Sequence, residues 1–147
     1  MFSAGVRAHY HASQLAAKFM IVSQRGLIVN ISFWAAQKHI ANVAYGVSKA
    51  ATDKMTADMA VELRPHGVTA LVSRIGEDRE GHGGGSLARP HQFGIPEFIG
   101  RAVAALAADP DVLRHTGTVL VAASVAVEYG FTDIDGKAPR PLTLADV

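Results

Sequence analysis

The chain has 147 residues, of which 49% are hydrophobic and 18% are charged, and its formal net charge is +1. This size and composition predict a single globular domain over 1–147 with a buried core, and they exclude a disordered chain. The near-neutral charge, with no run of lysine or arginine, argues against a nucleic-acid partner. The absence of cysteine excludes disulfides and thiolate metal sites.

No apolar run reaches the roughly 18 residues of a membrane span, so no membrane association is expected. The amino terminus also lacks the basic flank and apolar stretch of a signal peptide. We therefore expect a cytoplasmic protein.

The first half of the chain predicts two helices on either side of a strand. Apolar residues at near-helical spacing predict a helix over 3–22, and the β-branched run 27–31 predicts a strand buried on both faces. After a loop over 33–42, a second helix is expected over 43–63, and Pro65 lies just beyond its end.

The second half continues the alternation with shorter elements. A strand is predicted over 68–72, followed by an irregular loop over 75–94 that is rich in glycine and charge. A helix is predicted over 96–108 and a third strand over 118–121. The remaining residues, 131–147, are expected to form a surface tail.

This order of elements predicts an α/β fold. Helices that alternate with strands imply a parallel sheet of about three strands, right-handed crossovers, and helices on both faces. Three strands make a small sheet for such a fold.

Tyr45 and Lys49 are the residues to which the sequence most clearly assigns chemistry. They lie four positions apart near the start of the helix over 43–63, so they share a helical face. A phenol has an ordinary pKa of about 10, and a nearby ammonium favours its phenolate. Ser32 ends the preceding strand and could polarise a substrate oxygen. The three predict proton transfer at a carbonyl or alcohol, which becomes a redox reaction only with a separate hydride carrier.

Three segments carry a resemblance to the short-chain dehydrogenase/reductase family. Residues 26–32 resemble the family's fifth strand, 45–51 its active-site helix, and 62–68 the link into its sixth strand. Segments 96–108 and 130–136 narrow the resemblance to one branch of the family. The resemblance implies a partial, three-layer Rossmann-like fold in which the amino-terminal half of the family's domain is missing.

The resemblance also implies an activity, a cofactor and site residues. The chain resembles an oxidoreductase that uses NAD or NADP to reduce a carbonyl or oxidise a secondary alcohol of a small molecule. Tyr45 would be the general acid/base, and Lys49 would bind the nicotinamide ribose and lower the tyrosine pKa. Ser32 would orient the substrate carbonyl. Tyr45, Lys49 and Gly76 would contact the cofactor.

Several alternatives stay open. Counting back from Tyr45 places the catalytic serine at Ser32, whereas counting along the strand from Gly26 places that slot at Phe33. The glycine cluster 81–86 opens no clear helix, so it is a weak match to a phosphate-binding turn. We therefore expect weak dinucleotide binding by this chain alone. The alternative function is a truncated, catalytically silent remnant or interaction module.

Two further expectations concern metals and assembly. The seven histidines show no ligand motif, so no metal site is expected. The small residues of the helices over 3–22 and 43–63 permit close helix packing, and the resemblance implies a homo-oligomer through these two helices.

Overall fold

The computed structural model describes residues 1–74 and 96–145. A π-helical segment, Phe2–Arg7, runs into α1, and short 3₁₀ turns occur at Trp34–Ala36, Arg64–His66 and Val112–His115. The main elements are α1 (Ala8–Ser23), β1 (Gly26–Ser32), α2 (Val43–Leu63), β2 (Val68–Arg74), α3 (Pro96–Ala108), β3 (Val119–Val121) and α4 (Ala122–Tyr129).

The described strands form one parallel, three-stranded sheet in the order β1-β2-β3. β1 and β2 are in register from the Gly26–Val68 pair to the Ser32–Arg74 pair. The shorter β3 pairs only with the last residues of β2, so the carboxyl ends of all three strands lie together. The predicted α/β class with a small parallel sheet is confirmed.

Successive side chains of β2 point to opposite faces of the sheet, and a different pair of helices covers each face. Ala70 packs with Ile28 in a cluster that includes residues of α1 and α2. Its neighbour Leu71 points the other way and packs with Phe98 and Leu106 of α3 and with residues of α4. The fold therefore has three layers, and β2 is buried along its whole length.

A row of small polar residues brings α2 close to the sheet. Thr52 and Thr56 lie four residues apart, and each hydroxyl donates to the carbonyl one turn earlier, at 2.9 and 2.8 Å. The amide of Asn30 on β1 donates to the Thr56 hydroxyl at 2.9 Å. Because these buried polar groups find partners, a polar helix face can pack against the sheet at little cost.

Gly67 makes the tight connection from α2 into β2. Its φ of +67° lies in the left-handed region, and a Cβ placed there would be 2.5 Å from the carbonyl oxygen of Gln24. Glycine is therefore required both for its backbone conformation and for the close approach of another backbone segment.

The structure differs from the sequence-based expectations in four places. The first helix begins as the π-helical segment Phe2–Arg7, and the loop over 33–42 contains a 3₁₀ turn. The short helix α4 was not predicted. In the tail, Asp133 and Leu142 are buried, although most of its described residues are exposed.

The irregular loop predicted over 75–94 lies outside the described residues. Within the described residues, no helix combines the length and apolarity needed to cross a membrane.

Candidate active site

The candidate site lies at the carboxyl ends of β1 and β2, on the face covered by α2. Ser32 and Arg74 are the last residues of these strands and are register partners. Asn42 caps α2, because its side-chain oxygen accepts a hydrogen bond of 3.0 Å from the Tyr45 backbone N–H. This cap places Tyr45 in the first turn of α2, close to the strand ends.

Lys49 and Tyr45 lie next to each other, as their spacing predicts. The Lys49 Nζ is 5.7 Å from the centroid of the Tyr45 ring and donates to the Ile31 carbonyl at 3.4 Å. Partial burial lowers the pKa of Lys49, and the charge of Asp53 opposes this shift. The structure thus holds an ammonium beside a phenol at the end of a parallel sheet.

Ser32 and Phe33 occupy different environments beside this pair. The buried Ser32 hydroxyl faces α2 and donates to the Lys49 carbonyl at 3.5 Å, the outer limit of a hydrogen bond. The Phe33 ring packs with Trp34, Ala35 and Leu142, and its centroid is 6.4 Å from that of Tyr45. Of the two candidate positions, only Ser32 carries a hydroxyl into the site.

Arg74 and Asp53 are part of this site, although neither was singled out from the sequence. The Arg74 guanidinium donates to Asp53 Oδ2 at 2.5 Å and to the side-chain oxygen of Gln37 at 2.8 Å. It also lies 5.0 Å from the ring centroid of the buried Trp34. Two signals were available: Asp53 follows Lys49 by four residues, and Arg74 is a charged residue at the end of an apolar strand.

A cleft of about 300 Å³ lies on the neighbouring flank of α2. The walls of the cleft are the segment after β1 and the outer side of the first turns of α2, including Gln37, Gly46 and Ala50. A Cβ at Gly46 would be 3.2 Å from the Ala35 carbonyl, so a small residue lets this segment approach α2. Tyr45, Lys49 and Ser32 are not among the residues that line this cleft.

Two residues here could hold one end of a nicotinamide cofactor. Lys49 supplies a partly buried ammonium and Tyr45 a hydroxyl, which suit the nicotinamide ribose. Gly76 and the glycine cluster 81–86 lie outside the described residues. Within residues 1–74 and 96–145, no group of three or more histidine, aspartate or glutamate side chains could hold a metal ion.

A parallel sheet with helices on both faces and a candidate site at its strand ends is the architecture of Rossmann-like domains. The sequence profile of the short chain dehydrogenase family matches residues 1–76. The chain is also 38% identical to mouse Dehydrogenase/reductase SDR family member 1 over 148 residues, which cover 90% of this chain and 47% of the relative. The human protein of the same name is 36% identical over the same shares. The chain belongs to the short-chain dehydrogenase/reductase family, in the branch of these two relatives.

A solved structure of a short chain dehydrogenase/reductase family protein supports the same assignment. It is 31% identical, with a TM-score of 0.65, and the match covers 82% of this chain and 54% of that one. The chain spans about half the length of the curated relatives that it matches.

Proposed function

We propose that the site takes part in the reduction of a carbonyl, or the oxidation of a secondary alcohol, on a small molecule. The observation that carries this proposal is the Lys49 ammonium beside the Tyr45 ring at the carboxyl end of a parallel sheet. Membership of an oxidoreductase family supports it.

In this proposal each residue has one task. Tyr45 donates a proton to the oxygen of a carbonyl as it is reduced, and accepts one in the reverse reaction. Lys49 keeps a positive charge beside the phenol, which favours its deprotonated form. The Ser32 hydroxyl donates a hydrogen bond to the substrate oxygen. A bound NAD or NADP would supply or accept the hydride.

The described residues suit the nicotinamide end of the cofactor better than its adenosine end. Lys49 and Tyr45 would hold the nicotinamide ribose, and Gly76 is proposed as a further contact. We expect this chain alone to bind either dinucleotide weakly, because pyrophosphate groups are usually held by a glycine-rich turn at a helix amino terminus. Residues 1–74 and 96–145 include no such turn.

Fluorescence titrations with NADH, NADPH and reduced nicotinamide mononucleotide test this proposal. The mononucleotide has no adenosine half, so we expect all three to bind weakly and with similar affinity. Lys49→Met should weaken all three, whereas Lys54→Met on the exposed side of α2 should weaken none. Micromolar NADH binding with a much weaker mononucleotide would contradict the expected preference for the nicotinamide end. Binding that does not depend on Lys49 would contradict the proposed site.

We also propose that the chain forms a homo-oligomer through α1 and α2. Leu15, Phe19 and Val22 form an exposed apolar stripe on α1, and Phe19 is 77% exposed. On α2, Val61 is 76% exposed. Phe19→Glu should shift the mass measured by light scattering towards the monomer, whereas Val127→Glu on α4 should not. A wild-type chain that is monomeric at micromolar concentration would contradict this assembly.

A second candidate function is that of a catalytically silent interaction module. It is favoured by the exposed apolar stripe on α1, which could bind a partner without any chemistry. Oligomer formation without any cofactor-dependent turnover would favour this candidate. A cytoplasmic location stays a prediction from the sequence.

A further inference from the structure

The Arg74–Asp53 ion pair is fixed from several sides. The Arg74 side chain is 4% exposed and that of Asp53 is 16% exposed, so water screens the pair poorly. Gln37 accepts from the second terminal nitrogen of the guanidinium, and the Trp34 ring lies against the guanidinium. A carboxylate held in this way cannot swing towards solvent.

Asp53 also lies next to Lys49. The two residues are four apart on α2 and therefore share its site-facing side. Arg74 occupies only Oδ2 of Asp53, and the buried Oδ1 has no hydrogen-bond partner. A buried carboxylate oxygen without a donor is costly. Lys49 makes no hydrogen bond to it and acts on it through its charge, from one helical turn away.

We propose that Asp53, held in place by Arg74, is a positioning residue that keeps the Lys49 ammonium charged and close to Tyr45. This role of Asp53 rests on the proposed function, because the Lys49 ammonium can assist the Tyr45 phenol only while it carries its proton. The physical coupling between Asp53 and Lys49 is independent of any cofactor or substrate.

Asp53 is the charged group that acts on Lys49 among the described residues. Burial lowers the pKa of Lys49, and the charge of Asp53 raises it. Tyr45 on α2, Arg74 on β2, and Lys38 and His39 in the segment before α2 are the other ionisable groups near this end of the helix. β1 contributes no ionisable side chain. The ionisable side chains on the other elements that pack against α2 are exposed or only partly buried: Arg7, His9, Tyr10, His11, Lys18, Arg64 and His66.

The test is an NMR titration of the Lys49 side chain in the lysine-labelled full chain, without ligand. The Lys49 signal is assigned by its loss in Lys49→Arg. Asp53→Asn alone would leave the buried Arg74 guanidinium without its partner. The comparison is therefore made between two variants in which residue 74 is an uncharged glutamine. Arg74→Gln is compared with the double variant Arg74→Gln/Asp53→Asn, and Asp58→Asn is the matched control, because Asp58 pairs with Lys54 on the exposed side of α2.

We expect the Lys49 pKa to be lower in the double variant than in Arg74→Gln, and unchanged by Asp58→Asn. General loosening of the site would admit water and move the Lys49 pKa upward in the double variant. An equal or higher pKa in the double variant would therefore overturn the inference. If this shift is found in a chain that shows no Lys49-dependent cofactor binding, the proposed function fails and the coupling stands. If cofactor binding depends on Lys49 but the shift is absent, the coupling fails and the proposed function stands.

Discussion

Ser32 and Arg74 lie side by side as register partners at the carboxyl ends of β1 and β2. A hydroxyl and a guanidinium therefore meet on the one sheet face that α2 covers. Nearer the strand starts, this face is apolar, with Ile28 and Ala70 packed against the helices. Polar groups are thus concentrated at the strand ends, where ligand sites of parallel sheets occur.

The Asn42 cap should contribute to both stability and site geometry. Asn42→Ala removes the side-chain acceptor for the Tyr45 N–H and should lower the free energy of unfolding by about 1 kcal/mol. Urea unfolding measures this loss. Asn42→Asp keeps an acceptor and should remain near wild type. Equal losses in both variants would show that the cap is not the cause.

Ser32→Ala should show whether Ser32, rather than Phe33, occupies the position of the catalytic serine. The Ser32 hydrogen bond to Lys49 is long, so its loss should change stability by less than about 1 kcal/mol. If Ser32 polarises the substrate, turnover should fall with little change in cofactor binding. Phe33→Leu, which keeps an apolar side chain in the cluster, is the comparison. Full turnover in Ser32→Ala would remove Ser32 from the site.

Gly67 should be far less tolerant of a methyl group than Gly100. Gly67→Ala requires a left-handed alanine whose Cβ meets the Gln24 carbonyl, and it should cost about 1–3 kcal/mol. A Cβ at Gly100, inside α3, has no other atom within 4 Å, so Gly100→Ala should stabilise by about 0.5–1 kcal/mol. Thermal unfolding of both variants checks the contrast. Similar effects of the two changes would contradict this account of the turn.

A polar cluster between the end of α3 and α4 should make stability depend on pH. The Tyr129 hydroxyl donates to Asp109, and this bond is the main cause of the lowered Asp109 pKa. Arg114 similarly lowers the pKa of Glu128. Depressed carboxyl pKa values add stability above the unfolded-state values near pH 4, and this contribution is lost as the pH falls through the folded-state values. Stability should therefore decline on acidification.

Tyr129→Phe tests this cluster directly. It removes the hydroxyl, so the Asp109 pKa should rise and the acid-dependent part of the stability should shrink. Between about pH 6 and about pH 3, the free energy of unfolding should depend less on pH in this variant than in Tyr10→Phe, the exposed control. At the alkaline end, burial and the bond to Asp109 raise the pKa of Tyr129 to about 12. The stability that the protonated Tyr129 adds should therefore persist up to about pH 10 and decrease above it.

Hydrophobic pattern was sufficient to predict most of the fold. The predicted helices over 43–63 and 96–108 match α2 and α3, and the strands over 27–31 and 68–72 lie within β1 and β2. The helix α4 was missed because its eight residues follow β3 without a break and include three β-branched or aromatic residues typical of strands. Its packing against α3 is a contact between distant residues, which a local sequence pattern does not show.

The site was predictable where local spacing determines it. Tyr45 and Lys49 share a helical face, so their proximity follows from the sequence. The Arg74–Asp53 pair depends on the pairing of β2 beside β1 and on the packing of α2 across both strands. Such contacts between distant residues have no local signature, although the four-residue spacing of Asp53 from Lys49 was visible.

The most direct test of the central claim is turnover of a panel of small carbonyl compounds with millimolar NADH or NADPH. We expect measurable oxidation of the reduced cofactor by the wild-type chain. We also expect a loss of about a hundredfold or more in Tyr45→Phe, and no loss in Tyr10→Phe. Equal rates for wild type and Tyr45→Phe, or no turnover by the wild-type chain at these concentrations, would contradict the proposed role of Tyr45.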